Sequence, residues 1–204
     1  MDPSEIPQRL TDRKRVAIVS AAIEEFLAAG YDATSMDRIA ARARVSKRTV
    51  YNHFPSKEAL FAAILHQLWD ASQTGDAPAY RADEPLRAQL LDLLGRKLRL
   101  LNEPSFLSLA RVAIAAGIHS PERARDMVAR LGEREEDLTV WIRAATADGR
   151  LKTDNPLFAA LQLQALVKGF AFWPQVTMGQ EPLGKQEQKQ VVESAADMFL
   201  ARYA

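Results

Sequence analysis

The apolar residues of this chain recur every three or four positions, and no run alternates with period two for long enough to make a strand. The pattern predicts an all-α protein of about nine helices. From Thr11 onward, Ile18, Val19, Ala22, Ile23 and Phe26 form one broad stripe, closed by Gly30 where a left-handed residue ends a helix. Met36, Ile39, Ala40 and Ala43 put a single apolar face on a short helix beginning near Ser35. Arg44 and Val45 break that period, and Ser46 is suited to cap a second short helix in which only Val50 and Phe54 fit burial. Pro55 and Ser56 open a further helix with Leu60, Phe61, Ile64, Leu65 and Leu68 inward, finished by Gly75.

The stretch GDAPAYRADEP, from Gly75 to Pro85, has loop composition and marks a seam. Five more helices are predicted beyond it. They run from Leu86 to Leu101, from Phe106 to Gly117, from Ala124 to Ala145, from Pro156 to Pro174 and from about Gly184 to Ala201. The third of these carries the charged GEREED stretch, 132–137, in its middle, and its Glu135-Glu136 pair is most simply a solvated face. In the last two, apolar residues surround most of the helix: Leu157, Phe158, Leu161, Leu163, Leu166, Val167, Phe170, Phe172 and Trp173 in one, Val191, Val192, Ala195, Ala196, Met198, Phe199 and Leu200 in the other. A helix apolar all round is buried on more than one side. In a chain of 204 residues that favours packing on a second copy, about a two-fold axis, over a central helix in a monomer.

Composition changes this picture only through the placement of charge. The net charge is +1, so no general attraction to polyanions follows, yet no acidic residue lies between Arg38 and Lys57. Cysteine is absent, and the three histidines (His53, His66, His119) fall on separate predicted helices without metal-ligand spacing. No glycine-rich phosphate loop follows a strand. No catalytic residue, metal or cofactor is therefore expected, and the chain does not read as an enzyme. Residues 1–10 read as a flexible arm rather than a signal peptide, and no stretch approaches the roughly 18 apolar residues of a membrane span, so a cytoplasmic protein without membrane contact is expected.

The two short helices then acquire a chemical meaning. The major groove of DNA admits one helix and shows each base pair as a distinct set of donors and acceptors. Lys47 and Arg48 are placed to read guanine, Asn52 to meet adenine or a phosphate, and Thr49 a thymine methyl or a phosphate. Thr34, Ser46, Tyr51, His53 and Lys57 are read as phosphate clamps, which fix register without carrying sequence information. For Tyr51 and His53 a purely structural role stays open. Arg9, Arg13, Lys14 and Arg15 stand at the unfavourable end of the first helix dipole, either as a solvated basic turn or as phosphate contacts.

These residues in this order resemble the DNA-binding region of the TetR family of bacterial transcriptional regulators. The match from about Arg13 to Leu65 runs through Ile18, Ala21-Ala22, Phe26, Gly30-Tyr31, Thr34, Ile39-Ala40, Val45-Ser46, Thr49-Val50-Tyr51, His53-Phe54, Ser56-Lys57 and Leu60. Arg44 stands where the family commonly has glycine, adding both a strained turn position and a cation near DNA. The C-terminal part resembles the AefR-like group through Arg111, Pro121-Glu122, the turn from Gly149 to Leu151, Asn155-Pro156, Ala159-Ala160 and Gly169. The resemblance implies a homodimeric repressor on double-stranded DNA with a near-palindromic operator, released by a small molecule held in the C-terminal domain.

The expected layout is a flexible arm over 1–10, a helix-turn-helix DNA-binding domain over 11–60, and a helical ligand-binding and dimerisation domain over 61–204, dimerising through the last two helices. Trp69, Phe106, Trp141 and Phe170 are candidates to line the effector pocket, although aromatic residues at such positions are more often core. The lack of a cationic cluster there points to an apolar or neutral effector. The competing functions are a weakly sequence-specific structural DNA-binding protein and a ligand-independent regulator.

Overall fold

The computed structural model describes residues 5–72, 79–131 and 137–204, with the side chains of 5–10, 69, 71–72 and 127–131 outside the described set. Every regular element among the described residues is a helix. In chain order these are α1 (Glu5–Ala29), α2 (Met36–Arg42), α3 (Lys47–His53), α4 (Lys57–Ser72), α5 (Leu86–Leu101), α6 (Pro104–His119), α7 (Pro121–Leu131), α8 (Asp137–Ala147), α9 (Pro156–Ala171), α10 (Trp173–Met178) and α11 (Lys185–Tyr203). None of the described helices is long and apolar enough to cross a membrane.

Three boundaries differ from the sequence reading. Helix α1 begins at Glu5, so the stretch expected to be a flexible arm is helical backbone from that residue on. The long helix expected between Ala124 and Ala145 is two, α7 and α8, on either side of 132–136, which lie outside the described residues together with Glu135-Glu136. The helix expected to reach Pro174 stops at Ala171, and α10 starts at Trp173. Proline explains that break. Pro174 has no N–H for the carbonyl of Phe170 and its ring crowds it. Gln175 Nε2 donates to that carbonyl instead, at 3.0 Å.

The chain divides into two compact units, and neither is a single contiguous segment. The first comprises 1–70 and 108–129; the second comprises 71–107 and 130–204. This departs from the expected boundary at 60/61. Leu60, Phe61, Ile64 and Leu65 of α4, and Leu109, Val112, Ala113 and Ala116 of α6, are buried in one core with Ile18, Phe26, Ile39, Val50 and Phe54. Seven-residue helices are too short to persist alone in water. Val50 (0% exposed) and Phe54 (2%) anchor α3 in this core, each contributing about 1.5–3 kcal/mol by burial.

In the second unit α11 packs on α5 and α9, and α8 packs on α9. Its core holds Leu90, Leu94, Leu98, Trp141, Ile142, Leu163, Val167, Ala196 and Phe199.

Candidate nucleic-acid interface

The turn between α2 and α3 is built from its caps. Ser35 Oγ accepts from the Arg38 N–H at 3.3 Å to begin α2, and Ser46 Oγ accepts from the Thr49 N–H at 3.1 Å to begin α3. Between them α2 ends with Arg44 N–H donating to Ala41 O (3.2 Å) and Val45 N–H to Ala40 O (3.1 Å). That pairing needs a left-handed residue at the turn, and Arg44 supplies it at φ 54°. With Val50 inward, α3 turns Lys47, Arg48, Tyr51 and Asn52 outward as exposed residues, with Thr49 and His53 half-buried and Ser46 and Arg44 exposed ahead of them. Eight of the ten sequence-predicted site residues are thereby brought onto one short stretch of surface.

The acidic residues that precede this stretch fold back onto it. Glu25, 4% exposed, sets Oε1 2.5 Å from Arg42 Nε and Oε2 2.8 Å from Arg38 Nε, the second contact lacking the alignment of a hydrogen bond. Glu24 takes Arg42 Nη1 at 2.9 Å, and Asp37 takes Lys47 Nζ. The hydrogen bond from Arg42, and then the positive charge of Arg38, hold the Glu25 carboxyl below its ordinary value against the opposing effect of burial. Three of the cations that make the segment read as basic are thus paired within the protein. No hydrogen bond or ion pair engages the side chains of Arg44 and Arg48 among the described residues.

Thr34 and Lys57 are placed differently from the sequence reading. Thr34 is 3% exposed and its hydroxyl donates to the carbonyl of Gly30 at 2.8 Å, with Glu25 O 3.1 Å away, so it closes the end of α1 rather than meeting solvent. The ammonium of Lys57 donates to three carbonyls, Tyr31 (2.8 Å), Thr34 (3.0 Å) and Asp32 (3.3 Å). An ammonium has three donors, and all three are used. Lys57 therefore clamps the loop leading into α2, and its charge also lies 4.5 Å from the centre of the Tyr31 ring. The Arg123 guanidinium carbon lies 4.1 Å from the centre of the same ring, and the Tyr31 hydroxyl donates to Glu58. Burial, then the Glu58 carboxylate, push the Tyr31 hydroxyl up to about 12. Glu25, Tyr31 and Arg123 were not singled out by sequence reasoning as site residues, because their partners lie far along the chain.

Comparison with known proteins settles what this surface belongs to. Residues 18–64 match the description of bacterial regulatory proteins of the tetR family, and residues 88–204 match the C-terminal domain of AefR-like transcriptional repressors. The chain belongs to the TetR family. A solved TetR family transcriptional regulator from Pseudomonas syringae pv. tomato str. DC3000 is 57% identical, with a TM-score of 0.84 over 93% of this chain and 96% of that one. The solved flavonoid-responsive regulator FrrA is 30% identical, with a TM-score of 0.67 over 94% and 97% of the two chains. The transcriptional regulator RutR of Escherichia coli K12 is 29% identical over 172 residues, 82% of this chain and 79% of its own length. TetR proteins are DNA-binding transcriptional regulators rather than enzymes, and this chain is one of them.

Of the four aromatic candidates of this TetR protein, three have described side chains. Trp141, 2% exposed, donates its indole N–H to Gln89 Oε1 at 3.1 Å. Gln89, itself 2% exposed, also accepts from the Arg81 N–H and donates to the carbonyls of Arg81 and Glu84. A buried tryptophan needs such a partner, and with it Trp141 is core. Phe106 is buried against Phe172, ring centres 6.3 Å apart. Phe170 is 62% exposed at an open groove of about 250 Å³ between α9 and α11, beside Leu166, Leu183, Val191 and Met198. The side chain of Trp69 lies outside the described residues.

Proposed function

We propose that this TetR-family regulator is a homodimeric, sequence-specific repressor that places its two α3 helices in successive major grooves of a near-palindromic operator and leaves it when a small molecule binds. The observation that carries the reading is the outward row of α3. Arg48 offers a bidentate donor to guanine, and Asn52, one turn on, offers the donor and acceptor that adenine needs. Ser46, Thr49, Tyr51 and His53 hold the backbone, while Arg44 adds an unpaired cation at the turn. Lys47 reaches a base by exchanging Asp37 for it. Thr34 and Lys57 act by fixing the loop before α2 rather than by touching DNA.

Dimerisation through α9 and α11 is supported by the exposed half of α9. Leu157, Leu161, Ala165 and Gly169 stand four apart along one row, with Phe158 beside them, and all five are exposed in the single chain. Such a row packs into the groove of an equivalent helix, and its two small members permit close approach. A half-site held by seven-residue α3 alone offers few base contacts, and joining two half-sites supplies the specificity that a genome demands. The effector is apolar or neutral. FrrA, with a similar fold, responds to flavonoids, and the aromatic content of the second unit suits molecules of that polarity. Footprinting on genomic DNA, with and without apolar candidates such as flavonoids, tests the reading: one or a few palindromic sites should appear and fade with the right compound. Uniform weak protection would favour a structural DNA-binding protein, and sites indifferent to every compound a ligand-independent regulator.

A further inference from the structure

We infer that Arg15, with Lys14 beside it, forms a second phosphate-binding edge at the C-terminal end of α3. The inference rests on the reading that α3 enters the major groove, and it assigns a DNA contact to α1.

Three observations converge on this edge. First, Arg38, Arg42, Lys47 and Lys57 all have partners within the protein, which leaves fewer cations for phosphates than the sequence suggests. Second, the Arg15 guanidinium carbon lies 4.5 Å from the centre of the Phe54 ring. Phe54 is the C-cap of α3 and is 2% exposed, so Arg15 is tied by a rigid anchor to the far end of the recognition helix. Third, both Arg15 and Lys14 are exposed. An aromatic face holds a guanidinium without using its N–H donors, which stay available for a phosphate.

Seven helical residues span about 10 Å. Arg44 and Arg48 stand at the start of α3 and Arg15 beside its C-cap, so cations lie at both ends of the helix. Arg15 at a helix C-terminus is also favourable for α3 itself, and a purely structural role is the competing explanation.

The test compares the wild-type protein with Arg15→Gln, Lys14→Ala and the double variant on the operator and on a random duplex. For each, the dependence of affinity on salt is measured, and phosphate ethylation interference is mapped on the operator. The double variant should lower the salt slope by about 1.8, at about 0.9 per lost phosphate contact, on both duplexes. It should also lose interference at a phosphate flanking the α3 step while keeping operator preference. Arg15→Lys should recover most of the slope. Should Arg15→Gln fail to fold, Lys14→Ala alone must lower the slope by about 0.9. An unchanged slope, or an interference pattern identical in both proteins, overturns the inference even though α3 still reads the operator. Loss of operator preference by the wild-type protein would instead overturn the reading of α3, while the random-duplex slope still decides the role of Arg15 and Lys14.

Discussion

Arg44 is the one residue other than glycine with a positive φ among the described residues, and it sits at the turn on which the whole interface depends. A side chain there costs about 1–2 kcal/mol against glycine, offset in part by the greater freedom that glycine loses on folding. Arg44→Gly is therefore expected to raise stability in urea unfolding by about 0.5–1 kcal/mol. It should at the same time lower the salt slope of DNA binding, because an exposed, unpaired cation is lost. A gain in stability with the slope unchanged would remove Arg44 from the interface. Lys57 should behave in the opposite way. With three carbonyls as its partners, Lys57→Met is expected to cost about 1–2 kcal/mol of unfolding free energy. The salt slope should fall by much less than the ~0.9 of a lost phosphate contact. A full drop at unchanged stability would return Lys57 to the phosphates.

At the scale of elements, α1 and α2 are joined by a carboxylate held between two arginines. Because the folded state depresses the Glu25 pKa, its contribution to stability is present above the ordinary glutamate value of about 4.3 and is lost as pH falls through the lower folded value. Glu25→Gln should be less stable than wild type at neutral pH, and the gap should narrow on acidification in unfolding curves from pH 7 to 3. A gap of constant size would mean that the ion pairs to Arg38 and Arg42 contribute nothing.

The elements themselves were legible in the sequence where local rules decide them. The caps Ser35 and Ser46, the break at Arg44 and Val45, and the burial of Val50 and Phe54 all follow from neighbours within a turn or two. Pro174 was read as an end point although its effect falls four residues earlier, at the Phe170 carbonyl. Roles set by distant partners were not legible. Glu25 meets residues 13 and 17 positions ahead, and Lys57 reaches back to carbonyls more than 20 positions behind, so the segment looked more cationic and Lys57 more available than the fold allows. Gln89 interrupts an otherwise apolar stripe on α5, and that interruption was the one signal that Trp141 has a buried partner.

For the whole molecule, one α3 is too small to find an operator, and the second copy supplies what it lacks. On the proposed dimer face, the row Leu157, Leu161, Ala165 and Gly169 is the place to break that association without touching the core. Leu161 is 53% exposed in the single chain, so Leu161→Arg should leave the folded protomer intact while a charge is buried at the contact. Sedimentation at micromolar concentration is expected to show a dimer for wild type and a monomer for the variant. A variant that stays dimeric would place the contact elsewhere.

The central claim is that α3 reads base pairs, and it is tested most directly by fluorescence anisotropy at fixed salt on duplexes with each operator position changed in turn. Wild type should prefer its operator to random duplex by at least about 10³-fold, and Arg48→Ala should lose about 1–3 kcal/mol of discrimination at one base pair in each half-site. Equal affinity of wild type for operator and random duplex, or an Arg48→Ala variant weakened alike on every duplex, would contradict it.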